Sequence, residues 1–213
     1  MDTKAFREGF RDGIPIGLGY LAVSFSLGIS AKQAGLTPLQ GFVTSFLENA
    51  SAGEYIAFTL IGAGATYIEL CLMTIIANAR YLLMSCAMSQ RFSPDTPMIH
   101  RFLVAFDLTD ELFGIAIGRP GYLNPYYSYG AFLVALPGWS IGTAAGVIAG
   151  NLLPGDMVKA LSVSLFGMFL AIIIPPSKKS MGVLTVIIMS AVVSTLFKYL
   201  ATFISAGFSI IIC

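Results

Sequence analysis

Between Gly121 and Gly155 the chain carries no Asp, Glu, Lys, Arg or His. A helix needs about 20 predominantly apolar residues to cross the hydrocarbon of a bilayer, so this run alone is long enough. Gly13 to Ala31, Ala160 to Ser177 and Ser180 to Phe197 are further uncharged runs of nearly that length or more. Lipid offers no partner to backbone N–H and C=O groups, which restricts spanning structures to helices and closed barrels. A barrel would alternate apolar and polar residues in segments of about ten, and these runs do not. With 56% hydrophobic and 11% charged residues and a mean hydropathy of +0.83, the chain is far from a soluble domain, where about a quarter of residues are charged. The expected class is all-α, a polytopic membrane protein with about seven transmembrane helices forming one integral membrane domain over 1–213.

Turn signals divide the chain. The first span is expected at Ile14 to Ala34, ending at Gly35-Leu36-Thr37-Pro38, and the second at Pro38 to Ile61, since proline suits the first turn of a helix. The third is Tyr67 to Ser89, followed by a polar loop, Arg91 to Arg101. Phe102 to Gly118 is the weakest span, Tyr126 to Gly150 a fifth, Val158 to Ile174 a sixth, and a seventh begins near Ser180. Ser26 to Pro38 resembles Ser140 to Pro154, which suggests two three-helix repeats (14–90 and 126–205) around a linker segment. The repeats are parallel if Phe102 to Gly118 crosses and inverted if it does not. With the N-terminus inside, the crossing arrangement puts Lys4, Arg7, Arg11, Arg119, Lys178 and Lys179 on the cytoplasmic side and Lys32, Arg91, Arg101, Lys159 and Lys198 outside, the direction that charge asymmetry favours.

Charged groups inside apolar segments carry the functional signal. An ionisable side chain at mid-bilayer costs at least about 2.5–3.5 kcal/mol, yet Glu48, Glu54, Glu69, Arg80, Asp107, Asp110 and Glu111 all fall within or at the ends of such segments. In SFLENASAGEYIAF (Ser45 to Phe58), Asn49 to Gly53 are small and polar enough for the helix to unwind beside two carboxylates, a device that binds polar ligands at mid-membrane. The alternatives are a solvated turn from Glu48 to Glu54 or a small-residue packing face. On one helix Asp107, Asp110 and Glu111 form a single acidic face. Glu69 and Arg80 lie roughly 16 Å apart along a continuous helix, too far to pair. Arg80 suits a substrate carboxylate through its bidentate fork, or neutralises the acidic face, or reaches an interface. Trp139 and Tyr122, Tyr126, Tyr127 and Tyr129 read as interfacial anchors, His100 as an ordinary exposed histidine, and Cys71, Cys86 and Cys213 as packing residues. There is no signal-peptide pattern, no metal-ligand spacing, no cofactor motif, no basic run for nucleic acid and no catalytic motif, so an enzyme is not expected.

The succession GIPIGLGYLAVSFSLGISAKQAGLTP, SFLENASAGEY, NARYLLMS, FDLTDELF, GWSIGTAAGVIAG and LFGMFLAIIIP resembles the AzlC family, the large subunit of bacterial branched-chain amino-acid exporters. The likeness covers nearly the whole chain, and the Asn-x-Arg and Thr-Asp-Glu blocks are its more specific parts. It implies a multi-pass protein of the bacterial cytoplasmic (inner) membrane. It further implies proton-driven export of leucine, isoleucine, valine and methionine or toxic analogues, together with a small AzlD-like membrane subunit and no cofactor. Many relatives carry Gln where Glu54 stands, which leaves the coupling ion or substrate of this chain open. On this reading Asn49, Ser51, Gly53, Glu54, Asn78 and Arg80 are substrate-binding candidates, and Asp107, Asp110, Glu111 and Glu54 handle protons or the substrate ammonium. The competing readings are a channel or transporter for another small solute or cation, and a non-transporting membrane scaffold.

Overall fold

The structure is a computed structural model that describes residues 2–150, 174, 177–178 and 181–200. Among these residues every regular element is a helix. They are α1 (Thr3–Gln33), α2 (Pro38–Glu48), α3 (Ser51–Gly62), α4 (Tyr67–Ala77), α5 (Arg80–Ser89), α6 (Met98–Phe106), α7 (Asp110–Ile117), α8 (Pro125–Ala149) and α9 (Met181–Leu200). Among the described residues only α1 and α8 are individually long and apolar enough to cross a membrane, and α4 with α5 makes a third span if that bent pair is counted as one. The expected count of about seven is therefore not reached among them. The expected sixth span, Val158 to Ile174, lies outside the described residues except for Ile174, as does the chain beyond Leu200.

Glycines at helical spacing fuse α1 to α8. A Cβ on Gly9 would collide with the Tyr127 carbonyl, one on Gly13 with Ala131, one on Gly17 with Val134, and one on Gly28 with Thr143 and Gly146. Contact positions rise together along both helices, so α1 and α8 run parallel. Small residues every fourth position allow this close approach, in which van der Waals packing between backbones replaces the hydrophobic effect that lipid cannot supply. Asp2 caps the start of α1 through the N–H groups of Lys4 and Ala5, and Gly35, at φ +86°, turns the chain at its end.

The two shorter polar segments do not cross. Ser45 Oγ lies 2.6 Å from Glu54 Oε2, although nine residues of continuous helix would separate them by roughly 13.5 Å. α2 starts just beyond the far end of α1, and Gly62, closing α3, returns to that same end, where a Cβ added to it would lie 3.4 Å from Ala34 Cα. The expected span Pro38 to Ile61 is thus a re-entrant hairpin with its tip at Asn49-Ala50. α4 packs back along α3 through Ile56, Leu60 and Met73. A 49° bend follows, after which α5 reaches Met88 in a cluster with Phe92, Val104 and Tyr127 near the start of α1.

α6 and α7 form the mirror of the first hairpin. Arg101 donates to Ser89 O (2.8 Å) at one end of the pair, and Arg119 pairs with Glu8 on α1 at the other. Both ends lie at the start of α1, and the tip, Asp107-Leu108-Thr109, reaches mid-molecule. Phe102 to Gly118 therefore does not cross, yet α1 and α8 are parallel because α2/α3 does not cross either. This removes the basis for placing Arg91 and Arg101 opposite Arg119. Arg91 donates to the carbonyls of Arg119 and Gly121, so all three arginines share one end.

Candidate functional site

The two hairpin tips and the α4/α5 bend meet beside the middle of α1 and α8. Each break has its own local cause. Asn49 takes the left-handed conformation (φ 42°, ψ 42°), one that few residues besides Gly, Asn and Asp adopt without strain. Only Asn49 and Ala50 leave the helices; Ser51 to Gly53, expected to unwind too, form the first turn of α3. Asn78 ends α4. Asp107 ends α6, and Thr109 caps α7 by accepting the Leu112 N–H. The solvated-turn alternative fails, because Glu54 and Ser45 are 0% exposed and Asn49 only 6%.

Polar side chains join the breaks. Asn49 Nδ2 donates to Asp107 Oδ1, tip to tip. Asn78 Nδ2 donates to Glu48 Oε1 at 3.2 Å. A Cβ on Gly53 would overlap both Glu48 Oε1 and the Asn78 amide, so a side chain there would displace this contact. Arg80 Nη1 pairs with Asp110 Oδ2 at 3.1 Å, bringing α5 to the first turn of α7. The Tyr20 hydroxyl of α1 lies 2.7 Å from Glu111 Oε2 and 2.5 Å from Thr109 Oγ1.

Glu54 occupies a different place from the other acids. Its two carboxylate oxygens accept from Ser45 Oγ (2.6 Å) and Trp139 Nε1 (2.5 Å), and Ser45 Oγ also lies 2.6 Å from Thr143 Oγ1. Glu54 does not line the cavity. It stands behind Trp139, which does, and fixes the orientation of the indole. Trp139 is 3% exposed and meets the Tyr20 ring edge-on, with centroids 5.2 Å apart. It is not an interfacial anchor.

A cavity of about 400 Å³ opens at this junction, within the usual size for a small-molecule site. Pro15, Ile16 and Val23 give it an apolar side, and Asn49, Ser51, Thr109, Asp110 and Glu111 give it a polar one. No side chain caps the start of α3, whose first turn carries Glu54, so N–H groups of that turn can face an anion while the Glu54 carboxylate offsets part of its positive charge. Asp110 and Glu111 can hold a cationic group. The arrangement fits a small zwitterion with an apolar side chain.

The candidates from the sequence thus separate. Asn49, Ser51, Asp110 and Glu111 line the cavity; Gly53, Glu54, Asn78, Arg80 and Asp107 support it from behind. Asp107 is not on one helical face with Asp110 and Glu111, because the break at Leu108-Thr109 intervenes. Glu69 begins α4, where its N–H donates to Thr66, away from the junction. Tyr20, Tyr81, Thr109 and Trp139 also line the cavity, and sequence reasoning alone does not mark them as site residues. Tyr20 follows Gly13 and Gly17 on the buried face of α1, a signal the sequence offers. Trp139 sits mid-way along an uncharged run, far from any interface. His100 is half-buried, with Nδ1 2.7 Å from the Tyr129 hydroxyl, so the ordinary exposed reading fails. Cys71 and Cys86 are exposed rather than packed, while Cys213 lies outside the described residues. Tyr127 is buried, donating 2.8 Å to Asp12.

Comparison with known proteins adds an independent line. An uncharacterized membrane protein of Archaeoglobus fulgidus is 29% identical over 83% of this chain and 78% of its own length. Inner membrane protein YgaZ of Escherichia coli is 27% identical over 70% of this chain and 62% of its own. The branched-chain amino acid transport protein AzlC of Bacillus subtilis is 27% identical over 69% and 58% respectively. The match thus spans less than two thirds of the latter two relatives. No solved structure matches. The family model described as AzlC protein matches residues 15–153, more than half of the chain, and with that match the chain belongs to the AzlC family.

Proposed function

We propose that this chain is the large subunit of a secondary transporter that exports branched-chain amino acids, coupled to protons and working with a small AzlD-like membrane subunit. The observation that carries the reading is the cavity at the meeting of two opposed re-entrant tips, with an uncapped helix start, two carboxylates and an apolar wall around one space. The α3 N-terminus takes the substrate carboxylate. Asp110 and Glu111 take its ammonium, with Arg80 holding Asp110 in place. Ile16, Val23 and the rings of Tyr20 and Trp139 enclose a branched aliphatic side chain. The name of the Bacillus subtilis relative supports the substrate class.

Proton movement is assigned to the acids facing or bordering the cavity, Asp110, Glu111 and Glu54. Breaks in half-crossing helices let such groups stay hydrogen-bonded at membrane depth. Charge supports the orientation. Within residues 2–150, Lys4, Arg7, Arg11, Arg91, Arg101 and Arg119 gather at the end where α1 begins, against Lys32 at its far end. The positive-inside rule then puts the start of α1 in the cytoplasm of a bacterial inner membrane.

The test is leucine efflux from cells preloaded with a leucine-containing dipeptide, with and without this chain and a small hydrophobic partner, at two external pH values. Faster, pH-sensitive efflux requiring both chains supports the reading. Unchanged efflux, with the protein established in the membrane, rejects it.

A further inference from the structure

We propose that the contact between Asn49 and Asp107 is the seat of an inorganic monovalent cation such as Na⁺, beside the amino-acid cavity. Three of the acids at the junction are answered by donors or a cation: Asp110 by Arg80, Glu111 by Tyr20 and Glu54 by Ser45 and Trp139. Asp107 is 2% exposed and forms no ion pair with any described side chain. Its one side-chain partner among the described residues is the amide of Asn49. That contact uses Asn49 Nδ2 and Asp107 Oδ1, and leaves the other atom of each terminal group, Asn49 Oδ1 and Asp107 Oδ2, buried without a donor. Two unanswered acceptors in contacting side chains, both more than nine-tenths buried, call for a positive species.

Backbone placement adds to the demand. Asn49 ends α2 and Asp107 ends α6, so two helix C-termini converge on this contact. Each brings carbonyls without intrahelical donors, while the N-termini of α3 and α7 at the same tips offset the partial negative charge. A proton on Asp107 would satisfy a single acceptor. A metal ion accepts several oxygens at once, and an all-oxygen set suits a hard cation. One carboxylate in direct contact suits a single charge, whereas calcium sites typically gather several acidic oxygens. This assigns Asp107 to an ion other than the proton, while the proton reading of Asp110, Glu111 and Glu54 is unaffected.

The test needs no transport and no knowledge of the amino acid. Purified full-length protein is unfolded thermally in NaCl and in choline chloride at equal ionic strength, followed by emission from Trp139, the single tryptophan of the chain. A saturable rise in Tm with NaCl alone is expected, retained in Glu69→Gln and lost in Asp107→Asn. Should Asp107→Asn fail to fold, Asn49→Ser and direct ²²Na⁺ binding to the unaltered protein decide the same question. Equal Tm in both salts without ²²Na⁺ binding overturns the proposal, as does a sodium response undiminished in both variants. A shift with methylammonium but not Na⁺ also overturns it and gives the seat to the substrate ammonium. A negative efflux result would leave this outcome untouched, so the two failures are separable.

Discussion

The α1/α8 pair and the hairpin junction are built by opposite means. Along α1/α8 backbone approaches backbone wherever Gly9, Gly13, Gly28, Gly130, Gly138 or Gly146 removes a side chain. At the junction it is side chain to side chain, with Asn49, Asp107, Asn78, Glu48, Arg80 and Asp110 bridging elements whose backbones stop short of one another. A glycine seam has one workable spacing, whereas a bridge of hydrogen bonds between half-helices can part and re-form. In the proposed transport cycle the glycine-packed pair would serve as the scaffold and the junction as the moving part.

The largest effect should come from breaking the seam. Gly28→Leu or Gly146→Leu forces a side chain into the opposing backbone. Overpacking costs about 1–3 kcal/mol even where side chains can give way, and here backbone would have to move. The expected outcome is no monodisperse protein by size-exclusion chromatography after detergent extraction. Gly114 on α7 has nothing within 4 Å of its added Cβ, so Gly114→Ala should be stabilising by roughly 0.5–1 kcal/mol. If both kinds of variant behave alike, the seam is not the scaffold.

Next is the buried link between the two regions. Glu54 on the hairpin accepts from Trp139 on α8. Glu54→Leu leaves the Trp139 N–H without that acceptor, at a cost of about 1–3 kcal/mol, while the Ser45 hydroxyl keeps Thr143 Oγ1 within reach. Glu54→Gln retains a carbonyl for the indole and should stay close to the unaltered protein in Tm. Trp139 emission should shift in the Leu variant and hold in the Gln variant. A Leu variant of unchanged Tm and emission would detach Glu54 from the scaffold.

How much of this is legible in the sequence follows from the same contrast. The bounds of α8 can be read to within a residue at each end, since Pro125 opens it and an uncharged run fills it. The interruption at Asn49 and the pairing of Arg80 with an acid on Phe102 to Gly118 are also legible, because charge inside an apolar run demands a partner. That Pro38 to Ile61 folds back is not. A segment of that length suits one crossing or two half-crossings, and the choice rests on which neighbours meet Gly41, Ser45 and Gly62, a matter of tertiary packing. Treating Asp107, Asp110 and Glu111 as one face fails for the same reason: it applies helical spacing across a break that Thr109 caps.

A smaller effect is expected within the junction. Arg80 and Asp110 are partly exposed, at 42% and 33%, so their pairing steadies the tip more than it holds the fold. Asp110→Asn and Arg80→Gln should each lower leucine efflux with little change in extracted protein. In a double-mutant cycle the pair should couple by about 0.2–1 kcal/mol, the range of a solvent-accessible ion pair. Additive losses would mean that Arg80 acts on something other than Asp110.

The smallest effect belongs to the fastening of the second hairpin at the end where α1 begins. Arg119 stacks over the Tyr127 ring at 4.0 Å and pairs with Glu8, the two side chains being 32% and 40% exposed. An ion pair this accessible contributes about 0–1 kcal/mol and is weakened by salt. Arg119→Gln should therefore lower Tm slightly at low ionic strength and less at high. Because it ties the moving hairpin to the fixed helix, it should alter efflux more than stability. A large, salt-insensitive loss of Tm would instead make this end part of the scaffold and confine motion to the α2/α3 tip.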